Sequence, residues 1–167
     1  MADPKATPKD APRVAIVYGS PSDANIMSKA GALLDRFGIG YEEVSISAHR
    51  APTVLTRWLE GLPGRGIEVI IAGAGLSAAL PGVCAAHSVL PVIGVPIRGG
   101  ALDGLDALLS ISQMPPGVPV ACVGLDNSNN AAVLAVQIIA GHDAALRTKL
   151  VEFKESFEQA AAAGLGK

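Results

Sequence analysis

The stretch that decides the fold is Arg13-Val-Ala-Ile-Val-Tyr18, then Gly19-Ser20-Pro21-Ser22-Asp23, then Ala24 to Phe37. An apolar run of strand length is cut by small turn-forming residues. Ile26, Ala30, Leu33, Leu34 and Phe37 follow at helical spacing, which predicts a helix that Gly38 and Gly40 stop. A strand without polar alternation is buried on both faces, as in a parallel sheet covered by helices.

The same unit recurs outward along the chain. Tyr41 to Ser45, Glu68 to Ala72, Leu90 to Val95 and Val118 to Val123 read as further strands. Pro52 opens a helix to about Gly61 with Val54, Leu55, Trp58 and Leu59 as its apolar side. A short helix is predicted after Pro81, and others over Asp103–Gln113 and Asn129–Ile139. Strand and helix alternate without an internal repeat, which predicts a doubly wound parallel α/β sheet over residues 13–141. Residues 1–12 read as a disordered tail. Residues 142–167 read as a C-terminal helix capped by Asp143, with Leu146, Leu150, Phe153 and Phe157 packing on the domain or on a neighbouring subunit.

Bulk properties narrow the function. The 167 residues suit one domain, and 50% hydrophobic against 17% charged residues predicts a dense core. A net charge of −2 with scattered Lys and Arg argues against nucleic-acid and membrane-surface partners. So much apolar surface with 4% aromatics predicts a homo-oligomer. Cys84 and Cys122 lie in apolar stretches without a metal-ligand pattern, so buried free thiols and a cytoplasmic setting are expected. The apolar run Ile67–Ile97 is broken by glycines, prolines and His87, and is read as buried strands and a helix, not a membrane span.

Three segments that follow strands carry chemistry, and ligands of open parallel sheets bind at the C-terminal strand ends. In Gly19 to Asp23, small residues expose backbone N–H groups at a helix N-terminus, where a phosphate fits; Ser20 and Ser22 can donate to it. Asp23 either caps the helix or binds a sugar hydroxyl, and a plain capped turn would use the same residue types. In Ser47-Ala48-His49-Arg50, the arginine fork suits phosphate or carboxylate and the imidazole can move a proton near neutral pH. In Ala72 to Gly82, the small residues Gly73, Ala74, Gly75 and Ser77, with Leu80, leave space for a flat ring; helix-on-sheet packing would also want a glycine at 73. His87 reads as a satisfied structural histidine and His142 as a solvated one.

Taken together, Gly19-Ser-Pro-Ser-Asp23, Ser47-Ala-His-Arg50, Ala72-Gly-Ala-Gly75, Leu80-Pro-Gly82, Leu90-Pro-Val-Ile-Gly-Val-Pro96, Gln113-Met-Pro115 and Asn130-Ala-Ala132 resemble, in order, the PurE family of purine biosynthesis, whose members make carboxyaminoimidazole ribonucleotide. The resemblance covers nearly everything from Val14 to Ala140. It implies a flavodoxin-like three-layer α/β/α fold, a homo-octamer, no metal or other cofactor, and a phosphorylated imidazole ribonucleotide as substrate. It also implies that phosphate and ribose lie on Ser20, Ser22, Asp23 and Arg50, with His49 as general acid/base.

The family has two branches. One moves the carboxylate of N5-carboxyaminoimidazole ribonucleotide to the ring carbon; the other carboxylates aminoimidazole ribonucleotide with CO2. The mutase branch usually has histidine where this chain has Ala79, and Leu76 to Leu80 looks more like the carboxylase. Arg50, Pro81-Gly82 and Gln113-Met-Pro115 look like the mutase, which is the expected activity. Direct carboxylation is the alternative. A non-catalytic nucleotide-binding module is a more remote one, since the fold hosts many functions.

Overall fold

The computed structural model describes residues 11–165; the tail expected over residues 1–12 lies almost wholly outside them. Five parallel strands form one sheet in the order β2-β1-β3-β4-β5: β1 Pro12–Tyr18, β2 Gly40–Ser45, β3 Val69–Gly75, β4 Val92–Ile97 and β5 Ala121–Cys122. Between and after them run α1 Ala24–Phe37, α2 Pro52–Glu60, α3 Leu80–His87, α4 Leu105–Ser112, α5 Ser128–Ile139 and α6 Ala144–Leu165.

Successive side chains of a strand point to opposite faces, so the apolar runs of β1 and β3 feed two cores. Val14, Ile16, Val69 and Ile71 pack with α1, α5 and Leu146 of α6 on one face. Ala15, Val17, Ile70 and Ala72 pack with α2, α3 and α4 on the other. This is the expected flavodoxin-like α/β/α sandwich with a C-terminal helix.

Several boundaries differ from the sequence reading, each for a local reason. Gly73-Ala74-Gly75 is the end of β3, not a loop, because Gly73, Ala74 and Gly75 pair with Val95, Pro96 and Ile97. β5 is shorter than residues 118–123, since Pro119 has no N–H to give a ladder. α4 starts at Leu105, not Asp103, because Asp103 (φ 50°) and Gly104 (φ 92°) are left-handed. Val54 of α2 is exposed, and Leu55 and Leu59 alone form its fully buried stripe.

At α6, Asp143 caps the start as expected, its Oδ1 accepting the Leu146 N–H at 3.0 Å. Leu146 is buried and Leu150 and Phe153 half-buried, but Phe157 is exposed in the single chain. Phe153 stacks edge-on with Phe37, 5.3 Å between centroids. His142 is not merely solvated: its Nε2 lies 2.7 Å from Glu68 Oε2, and Glu68 also receives Arg13, which in turn donates to Asp143. This network fastens the start of α6 to the N-terminal ends of β1 and β3. His87 is exposed and makes no side-chain hydrogen bond among the described residues, so it is not the satisfied structural histidine expected. Cys84 is buried; Cys122 is half-buried.

Candidate active site

The C-terminal ends of β1, β2 and β3 converge on one cavity of about 570 Å³. From the first loop, Gly19, Ser20, Ser22 and Asp23 line it; from the second, Ser47, Ala48 and His49; from the third, Ala74, Gly75, Ser77 and Leu80. His49 and the Ser20–Asp23 turn therefore share one space, although they lie 26 or more positions apart in the chain.

The first loop is a 3₁₀ turn, Pro21–Asp23, that runs into α1. Ser20 caps it: its Oγ accepts the Ser22 N–H at 3.3 Å and the Ser22 hydroxyl at 2.9 Å. Asp23 precedes the helix but makes no side-chain cap bond; its Oδ1 instead takes the Ser22 hydroxyl at 3.2 Å. That removes capping as the reason for an aspartate and leaves a carboxylate facing the cavity. Burial pushes its pKa up, against the lowering hydrogen bonds from the Ser22 side chain and the Ser20 backbone.

The second loop turns at Ser47, whose Oγ accepts the Arg50 N–H at 3.3 Å and whose carbonyl accepts Ala51 N–H at 2.9 Å. Arg50 is not in the cavity lining. Its Nη2 reaches back to donate to the Gly19 carbonyl at 3.2 Å, which sets a guanidinium beside the first loop. Among the described residues no carboxylate forms an ion pair with it.

Gly73 does not line the cavity either. A Cβ there would collide with the Sδ of buried Met27, so close packing of α1 on the sheet explains this glycine. Gly75 does line it, and a Cβ there would meet the Ile97 carbonyl at 3.1 Å.

Leu76, Ala78 and Ala79, within the Ala72–Gly82 stretch read from sequence, complete the third wall. The sequence reading missed the fourth, Ile97, Arg98, Gly99 and Gly100 at and after the end of β4. Arg-Gly-Gly directly after an apolar strand was the available signal. Among the described residues no group of three His, Cys, Asp or Glu is placed to hold a metal ion, and no helix is long and apolar enough to cross a membrane.

The arrangement offers hydroxyl donors and a cation for an anion at one end, an imidazole for proton transfer, and an apolar floor of small residues. The family described as AIR carboxylase matches residues 13–160. N5-carboxyaminoimidazole ribonucleotide mutase of Pyrococcus abyssi is 50% identical over 148 residues, 89% of this chain and 85% of that protein. Phosphoribosylaminoimidazole carboxylase of Saccharomyces cerevisiae is 50% identical over 142 residues, 85% of this chain but only 25% of that protein. The crystal structure of Treponema denticola PurE superposes with a TM-score of 0.84 at 29% identity, covering 91% of this chain and 95% of that one.

Proposed function

The chain belongs to the AIR carboxylase family, and from that premise we propose that it is an N5-carboxyaminoimidazole ribonucleotide mutase of purine biosynthesis. The observation that carries this reading is the shared cavity: a phosphate-type turn and an imidazole from separate loops face one space. The relatives that bear the mutase name match over 84–87% of their own length, whereas the chain spans 25–28% of the carboxylase-named ones.

The substrate phosphate rests on the Ser20 and Ser22 hydroxyls and on Arg50, and Asp23 accepts from a ribose hydroxyl. Protonated His49 gives its proton to the exocyclic nitrogen. The N–CO2 bond breaks, and CO2 leaves with the amine neutral. Ring carbon C4, enamine-like, attacks the CO2 and forms the new C–C bond. His49 then takes the C4 proton, which restores aromaticity and returns the imidazole to its starting state. One proton enters and one leaves, so neither an oxidant nor a co-substrate is needed. Gly75, Ala78 and Ala79 leave room beside the ring for CO2 to be held close to C4, where its effective concentration exceeds that of bulk solution.

The test is His49→Asn assayed with N5-carboxyaminoimidazole ribonucleotide. A folded variant with near-normal turnover overturns the role of His49. The second reading, direct carboxylation, rests on Ala79 lining the cavity where the mutase pattern carries a histidine, and on the carboxylase name of the yeast relative. Wild-type turnover of aminoimidazole ribonucleotide with bicarbonate, faster than that of the carboxylated substrate, would select it.

The working form in this proposal is a homo-octamer in the cytoplasm. Exposed Val151 and Phe157 on α6 supply apolar surface for subunit contacts, and two free thiols suit a reducing compartment. Light scattering reads the subunit number.

A further inference from the structure

β4 runs on to Ile97 although its neighbour β5 ends at Cys122. The last residues of β4, which enter the cavity wall, therefore have no strand beside them on that side. Asp126 stands in the gap. Its N–H donates to the Pro96 carbonyl at 2.9 Å, and its Oδ1 accepts the Arg98 N–H at 2.8 Å. The carboxylate thus extends the ladder by one bond where the backbone of β5 cannot.

The local backbone is held in an unusual state around this contact. Among the described residues the non-glycine positions with positive φ are Leu76, Asp103 and Asp126. Asp103 and Asp126 both pair with Arg98, while Leu76 packs so closely on Gly100 that a Cβ there would collide with its Cδ2. Aspartate enters this region more readily than most residues, whereas a bulky leucine there is strained. All three positions meet at Arg98–Gly100, a wall of the cavity, so this segment is held by contacts from three separate loops.

Arg98 is not itself suited to hold an anionic substrate. Two carboxylates face its one guanidinium, so the cluster is net negative, and its side chain is half exposed, where an ion pair contributes little. Arg50 is the cation left for the substrate. The contact that matters is the Asp126 bond to the Arg98 backbone.

We infer that Asp126 is a positioning residue for the reaction: by taking the place of the missing strand beside β4 it fixes the Arg98–Gly100 wall of the cavity. The inference rests on the function proposed above. Two variants separate the side chain from the backbone strain. Asp126→Gly relaxes the left-handed residue but removes the acceptor, so kcat/KM is expected to fall roughly 100-fold through kcat, with Tm within about 5 °C. Asp126→Asn tolerates the same backbone and keeps an acceptor, so it retains at least about tenfold more activity than Asp126→Gly. Amide exchange at Arg98 speeds up in Asp126→Gly while β1 and β3 keep their protection.

Wild-type kcat/KM in Asp126→Gly, equal loss in both variants, or unchanged exchange at Arg98 overturns the inference. An inactive wild type with fast Arg98 exchange in Asp126→Gly instead overturns the proposed function and leaves the brace itself standing.

Discussion

Arg50 Nη2 donates to the carbonyl oxygen of Gly19 at 3.2 Å, and this one bond ties the loop after β2 to the loop after β1. It makes Arg50 a support of the Gly19–Asp23 turn, and among the described residues its guanidinium forms no ion pair.

Removing that side chain tests its role. Arg50→Ala is expected to raise KM about tenfold or more, since hydrogen bonds to charged groups contribute about 1.5–3 kcal/mol. Arg50→Lys recovers only part of the loss, because an ammonium cannot hold the Gly19 carbonyl and a phosphate with one planar fork. Steady-state kinetics with full recovery by lysine would show that charge alone matters.

Asp23 sits where an anion is expected, and burial raises its pKa. A raised carboxylate pKa means the folded state binds its proton more tightly than the unfolded one. Folding stability therefore declines as pH rises from the ordinary Asp value through the raised one. Asp23→Asn should melt higher than wild type at pH 7, with the gap closing below about pH 4, and should lose activity if the carboxylate binds a ribose hydroxyl. Melting curves at the two pH values check the sign.

Gly73→Ala should act on stability and not on chemistry. The added methyl meets Met27 in a filled core, which costs about 1–3 kcal/mol. Met27→Ala makes room for it, so the double variant should be less destabilised than the two single losses added together. Urea unfolding of the four proteins measures that coupling.

Asp143 titrates the other way. The Arg13 hydrogen bond and then the Leu146 N–H hold its carboxyl below the usual range. Its contribution is complete at neutral pH and is lost as pH falls from the ordinary Asp value through the depressed one. Asp143→Asn should flatten that acid limb of the stability curve. Asp143→Ala also removes the α6 cap and should cost about 1 kcal/mol at pH 7.

The elements were legible because their signals are local. The β1 run, the α1 spacing, Pro52 and Pro81 at helix starts, and the Asp143 cap each depend on neighbours in sequence. The readings that needed correction depend on distant partners. Gly73 to Gly75 looked like a loop because glycine and alanine disfavour strands, yet pairing with β4 makes them one. His142 is solvated as read, but its bond to Glu68 was not legible because that partner is 74 residues away.

By itself, then, the order of residues determined the alternating α/β architecture and three of the segments that line the cavity, since hydrophobic period and turn chemistry act over a few residues. Only the tertiary structure decided which of their residues face one another. It put Gly73 under Met27 and not against a ligand, denied Asp23 a capping role, placed Arg50 on the Gly19 carbonyl, and added the Arg98–Gly100 wall with Asp126 behind it. Those outcomes rest on strand register and on where a strand stops, and both are set by hydrogen bonds between segments far apart in the chain.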